Sequence, residues 1–269
     1  PSSACINSGP KYGNGFFPTA FSPIPILNPD KGLRNIKTRG GSEALGERLA
    51  LSEKLSSFFS NRYPDQNVKS YREFYDNTLR LLRSKDLDSF DLGKEPAAMR
   101  EKYGLSKFGQ GCLLARRLVE TGVRYVEVAT DGWDMHNNLQ GDMEDLSPSF
   151  DQAYAALISD LDNRGMLDGT LVVLATEFGR KPQFNGNGRG HYPICFSSVL
   201  AGGGVKRGFV YGSSDKEGAY PDNPVTVHDL HATIGWAAGL PLKKEVLSSS
   251  GRPFFVGGAK AKPVQGVFA

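Results

Sequence analysis

A chain of 269 residues, 39% hydrophobic and 23% charged, carries enough apolar material for one large α/β domain, or a domain with a smaller helical layer, and is too hydrophobic for global disorder. The formal net charge of +3 comes from scattered Lys and Arg, which argues for solubility and against a nucleic-acid partner. No apolar run approaches the roughly 20 residues of a membrane span. Cys5, Cys112 and Cys195 follow no metal or redox spacing. Their odd number excludes a full disulfide framework while allowing one bridge, and Cys112 and Cys195 sit in apolar periodic stretches, where burial is expected.

Residues 1–42, rich in Gly, Pro, Asn and Ser, read as an irregular segment lying over another body. Residues 43–60 and 67–84 show helical spacing, the second with Tyr71, Phe74, Tyr75, Leu79 and Leu82 on one stripe, as a packing face requires. Short helical pieces and turns fill 85–106, giving a helical segment over 43–106 packed on an α/β core at 107–269. Within that core a helix is expected at 108–121, closed by Gly122, followed by a short strand at 124–130. Ser147 is placed to cap a helix running to about Arg164, with Phe150, Ala153, Leu157, Ile158 and Leu161 on one face and Gly165 ending it. The run TLVVLAT at 170–176 predicts a strand covered on both faces, and 194–204 a further strand entering a glycine turn. Thr226 with Asp229 predicts an N-terminal cap for a helix to about Ala238. Strands alternating with helices predict a layered α/β fold with a largely parallel sheet.

In open parallel sheets ligands bind beyond the carboxyl ends of the strands. Past the strand at 124–130 come Asp131, Asp134 and His136; past that at 170–176 come Glu177, Arg180, Arg189 and His191. Two of the four histidines thus fall in strand-end loops. Oxygen and imidazole donors together suit Zn²⁺, Mn²⁺ or Fe better than Mg²⁺ or Ca²⁺. A carboxylate ending a buried strand, as Glu177 does in this reading, needs a cation or an arginine beside it. The competing reading pairs Glu177 with Arg180 and leaves the histidines hydrogen-bonded to loop backbone. His228 and His231, three apart on one helical face, form a rival pair, but their neighbours Val227, Leu230 and Ile234 describe a packing surface. The glycine-rich stretch 201–208 reads as a tight turn rather than a phosphate cradle, and no nucleophile elbow or dinucleotide fingerprint occurs.

The runs SFDLGKEPAAMREKYG, LLARRLVETGVRYVEV, GWDMHNN, TLVVLATEFGRKP, GRGHYP, LAGGGVKRGFVYGSSD and VHDLHATI, spread over roughly 85–235, closely resemble an uncharacterised bacterial family, domain of unknown function 1501. That family looks like a branch of the alkaline phosphatase and sulfatase superfamily. The resemblance implies a three-layer, largely parallel sheet of alkaline phosphatase-like type with an added helical segment. It also implies a divalent metal centre of Zn or Mn with Asp134, His136, Glu177 and His191 as ligands. Implied with it are an exported or periplasmic location and hydrolysis of an anionic small-molecule or glycan ester of phosphate or sulfate, with Arg180 and Arg189 on the anionic oxygens. Phe178 stands where the superfamily places His or Asn, and Gly190 where family members often carry Asp, which sets the second metal position apart. The superfamily's first metal-ligand strand and its Ser or Thr nucleophile are expected amino-terminal to these residues. On that expectation the chain is an incomplete carboxyl-terminal portion, inactive alone. The alternative is a non-catalytic exported protein that binds sulfated or phosphorylated glycans.

Overall fold

The computed structural model describes residues 3–7, 13–18, 21–34, 36, 40–63, 65–248 and 250–269. The chain divides into two compact units, Pro1–Thr130 and Asp131–Ala269. Helices and strands are mixed in it, and one small parallel sheet is present, so the architecture is of general α/β character.

In the first unit the sheet has the order β2 (Ile24–Ile26), β1 (Ser3–Ile6), β3 (Tyr125–Val128), all parallel. Ala4, Cys5 and Ile6 are buried, and Ala4 lies opposite Val126 and Cys5 opposite Glu127. The stretch expected to be irregular therefore supplies the central strand of this sheet. A strand of four residues, two of them small, is too short to show a period among so many turn-forming neighbours.

Two long helices, α1 (Gly41–Arg62) and α2 (Gln66–Leu82), follow close to the expected bounds. On α2 the side chains of Tyr71 and Phe74 lie outside the described residues; Leu79 and Leu82 are half-buried and Tyr75 is exposed. After α3 (Ala97–Tyr103), α4 (Lys107–Glu120) begins at Ser106, whose hydroxyl accepts from the Gly109 amide at 3.1 Å. Glycine at 111 lets α4 settle on the sheet: a Cβ there would meet Asn7 Nδ2 at 2.8 Å and Val128 Cγ1 at 3.0 Å. Leu113, Leu114 and Leu118 of α4 are fully buried.

Arg116, also on α4, is buried at 1% side-chain exposure between Glu95 at 2.8 Å and Glu120 at 2.7 Å. Arg117 pairs with the other Glu95 oxygen and donates to the Ser89 carbonyl at 2.9 Å. Burial pushes the Glu95 carboxyl up, but the hydrogen bonds and charges of Arg116 and Arg117 outweigh it and hold it below its ordinary value. A carboxyl whose folded pKa lies below its unfolded one stabilises above the unfolded value and loses that contribution as pH falls through the folded value. The unfolding free energies of wild type and Glu95→Gln should therefore differ most near neutrality and converge below the ordinary carboxylate value of about 4.3. Urea titrations at pH 7 and pH 3 measure this, and a gap independent of pH would show that the Glu95 charge contributes nothing.

The second unit opens with α5 (Leu139–Asn163), which begins two turns before the expected Ser147 cap and carries Pro148 inside it. The Ser147 hydroxyl donates to the Met143 carbonyl within the helix, and Pro148 has no amide to give to the helix ladder. Ser followed by Pro resembles a helix start, and here it is a tolerated interruption. Ala153, Ala156 and Leu161 are buried, and the chain leaves the helix near Gly165, where φ is 66°.

The run at 170–176 contains β4 (Val172–Leu174), half-buried rather than covered on both faces. Next come β5 (Gly179–Arg180) and β6 (His191–Tyr192), which pair with each other, and β7 (Val199–Ala201), which is shorter than the expected 194–204. β4 pairs with β7 in antiparallel register, Val172 opposite Ala201, where a parallel neighbour was expected. The two short pairs Ser213–Ser214 with Pro221–Asp222 and Val246–Leu247 with Pro253–Phe254 are antiparallel as well. The glycines after β7 form a turn against backbone, since a Cβ at Gly202 would lie 2.4 Å from the Leu167 and Thr170 carbonyl oxygens. Helix α6 (Val227–Ala237) starts with the expected capping box of Thr226 and Asp229. No described helix is long and apolar enough to cross a membrane. All three cysteines are free; Cys5 and Cys112 are buried, and Cys195 is only half-buried. Burial pushes the Cys112 thiol up to about 12.

Candidate metal centre

Two pieces of chain build the site, both in the second unit. One is the loop 131–138, pinned by Met135, which is 4% exposed, and by Trp133, whose ring meets Phe150 edge-on at 5.6 Å. Within it the amides of Met135 and His136 each donate two residues back, to Trp133 and Asp134, both at 3.0 Å. These tight turns project Asp134 and His136 while Met135 points inward.

The other piece is the hairpin of β5 and β6, in which Arg180 lies directly opposite His191. Directly opposed residues of an antiparallel pair share a face, so the guanidinium and the imidazole are delivered together. At the hairpin tip Gly186, with φ 62°, takes the first central position of a two-residue turn between Asn185 and Gly188, a place type II′ turns reserve for glycine. The tip is fastened to the loop by Arg189 N donating to the Met135 carbonyl at 3.1 Å and Leu139 N donating to the Asn187 carbonyl at 2.8 Å. Gly188 lies directly on the loop, for a Cβ there would fall 2.1 Å from the His136 carbonyl carbon and oxygen.

The two pieces bring Asp134, His136 and His191 together. His191 Nε2 lies 2.9 Å and His136 Nε2 3.1 Å from Asp134 Oδ1, and the two Nε2 atoms are 3.0 Å apart. Arg180 Nη1 reaches the same Asp134 oxygen, while Nη2 donates to Glu177 Oε1 at 3.1 Å. Hydrogen bonds from His191 and then Arg180, with the charges of His136 and Arg180, hold the Asp134 carboxyl down at about 2, so it is ionised across the neutral range. The His191 ring is flanked by Phe178, ring centroids 4.7 Å apart, and the Arg180 guanidinium lies 5.6 Å from the same Phe178 ring.

Other polar residues singled out in the sequence lie elsewhere in this arrangement. Glu177 is bound to Arg180 and exposed, so it carries no buried-charge penalty. Arg189 lays its guanidinium over Phe184 at 5.0 Å and buries an Nε without a hydrogen-bond partner. His228 packs beside Gly258, where a Cβ would come 3.5 Å from its Nδ1. Among the described residues, Asp134, His136 and His191 form a group of three whose possible ligand atoms all lie within 4.8 Å of one another. Sequence reasoning missed Gly188 and Met135, the residues that set the loop: one looks like any loop glycine and the other like any core residue.

The donor set fits a divalent transition metal. The three possible ligand atoms all lie within 4.8 Å of one another, so one ion could be held by two imidazoles and one carboxylate, a mixed set that Zn²⁺ and Mn²⁺ both accept. Side chains of Asp134, His136 and His191 are 62%, 46% and 48% exposed, so an ion has direct access.

The family model described as a protein of unknown function, DUF1501, matches residues 1–268. No curated protein and no solved structure matches the chain. A match over nearly the whole length, taking in both compact units, establishes that this chain belongs to the DUF1501 family.

Proposed function

We propose that this protein is a metal-dependent hydrolase of phosphate or sulfate monoesters, built on an alkaline phosphatase-like three-layer plan and acting with Zn²⁺ or Mn²⁺. The observation that carries the reading is the convergence of Asp134 Oδ1 with the Nε2 atoms of His136 and His191. Three Lewis-basic atoms at this spacing, beside an arginine, suit an ion and the oxyanion it would hold. A bound divalent ion would act as a Lewis acid toward the ester oxygen. The chain's own residues then bind and orient. Asp134, His136 and His191 hold the ion; Glu177 adds a further carboxylate at the edge of the site; Arg180 supplies a guanidinium fork for anionic oxygens, with Arg189 as a second cation on the same hairpin. Phe178, against His191, puts an aromatic wall where another ligand would be needed for a second ion.

A second reading, a non-catalytic exported protein for sulfated or phosphorylated glycans, draws support from Phe184. That ring is 62% exposed beneath the Arg189 guanidinium, an apolar face beside a cation that would suit a charged sugar.

Purified protein dialysed against Mn²⁺ or Zn²⁺ and assayed for bound metal should retain the ion. His136→Ala and His191→Ala should each weaken retention by more than the 10- to 100-fold, roughly, that changes behind the ligands cost. Turnover of an aryl phosphate or sulfate that disappears in His136→Ala supports the hydrolase and overturns the expectation that this chain is inactive alone. Metal retention with tighter binding of a sulfated glycan than of inorganic phosphate, and no turnover, supports the glycan-binding reading, and metal uptake unchanged in both variants removes the centre altogether.

A further inference from the structure

Arg180 is anchored twice, on Asp134 Oδ1 and on Glu177 Oε1, and rests over Phe178. Its side chain is 22% exposed while the two carboxylates are 62% and 59% exposed, so the guanidinium is the covered member of the trio. The oxygen it holds on Asp134 is the one that also faces both histidine Nε2 atoms. A cation held by the histidines and Asp134 and the Arg180 guanidinium would therefore claim the same atom.

We infer that Arg180 is a latch which the divalent ion opens, so that the site binds metal first and oxyanion second. The inference rests on the metal reading above. Before an ion enters, the guanidinium is engaged by two carboxylates, so the donors that an anion would need are taken up. An ion at Asp134 places a second positive charge against Arg180 and weakens that contact. The guanidinium stays on its hairpin opposite His191, still attached to Glu177 and Phe178, with its Asp134-facing donors released. The divalent ion also adds two positive charges, so an oxyanion such as a phosphate or sulfate monoester now meets both an ion and a free guanidinium edge. Metal and anion must strengthen each other's binding by the same factor, since coupling between two equilibria is reciprocal.

The two roles open to Arg180 predict opposite signs. A residue that only supports Asp134 helps the metal, and its loss weakens metal binding; a latch competes with the metal, and its loss strengthens it. Calorimetric titrations with Mn²⁺ and inorganic phosphate separate the two, with thermal melts confirming that each variant is folded. Arg180→Gln should bind Mn²⁺ about two- to fivefold tighter than wild type, the factor an exposed ion pair is worth, and bind phosphate more weakly once Mn²⁺ is present. Glu177→Gln, which keeps the guanidinium but removes an anchor and a negative charge, should bind phosphate in the absence of metal more tightly than wild type does. Wild type that binds Mn²⁺, with Arg180→Gln binding it equally or more weakly, overturns the latch and leaves the metal centre standing. Wild type that takes up no Mn²⁺ overturns both.

Discussion

Gly188→Ala should cost the protein its metal affinity while leaving most of the fold in place. The added methyl would sit 2.1 Å from the carbonyl carbon and oxygen of His136 and 2.6 Å from the Met135 carbonyl oxygen. All three are backbone atoms, so no side chain can rotate out of the way, and the hairpin tip must lift off the loop. Lifting it breaks the Arg189–Met135 and Leu139–Asn187 hydrogen bonds and separates His136 from His191, which are on opposite sides of that seam. A misplacement of about 1 Å is enough to cost a factor of about 100 at a site whose groups must act together. The matched control is Gly190→Ala, two residues on, where the methyl would meet only the flexible Lys181 side chain at 3.6 and 3.8 Å. Mn²⁺ affinity followed by electron paramagnetic resonance, with amide exchange at Leu139 and Arg189, tests the pair. Equal affinities for the two variants would show that the seam does not position the ligands.

Arg116→Ala should be the most destabilising substitution on α4. It removes a guanidinium at 1% exposure and leaves Glu95, itself 7% exposed, with Arg117 as its remaining charge partner. Breaking a buried pair from one side costs about 3–5 kcal/mol when it strands a charge, and with Arg117 still on Glu95 the loss should fall toward the lower end of that range. That is a large part of the ~5–15 kcal/mol by which a typical domain is stable. Arg116→Met with Glu95→Leu should recover only part of the loss, since it leaves Arg117 with the Ser89 and Asp88 carbonyls in place of a carboxylate. Urea unfolding of the single and double variants measures both, and a loss below about 1 kcal/mol for Arg116→Ala, the range of an exposed pair, would mean that the pair is solvated in solution.

How far the sequence foretold these features depended on whether the determinant was local. Helices α1, α2, α4 and α6 were legible because caps and three- or four-residue spacing lie within the element; Thr226 with Asp229 is the clearest instance. The early start of α5 was hidden because Ser147 and Pro148 imitate a helix beginning. The antiparallel pairing of β4 with β7 was not legible, since a strand's own residues do not state which neighbour it will meet. The same division holds in the site. Asp134, His136 and His191 could be chosen as polar residues in loops after apolar runs, but the register that sets Arg180 opposite His191 could not be read. Nor could the contact that makes Gly188 different from the other glycines nearby.

The placement of β1 has a kinetic consequence. Its register joins Ser3 to Tyr125 on one side, while β2, at Ile24–Ile26, is available on the other soon after β1 has been made. During synthesis one edge of β1 therefore stays open until β3 has emerged, on the order of ten seconds at roughly 5–20 residues per second. Closing so long a loop also slows refolding, because its entropy must be lost before the contact is gained. In that interval the nascent chain presents Ala4, Cys5 and Ile6, buried once folding is complete, along an unpaired strand edge. The first unit is thus most vulnerable to aggregation before its third strand arrives, and slower translation through residues 30–125 would lengthen the exposure.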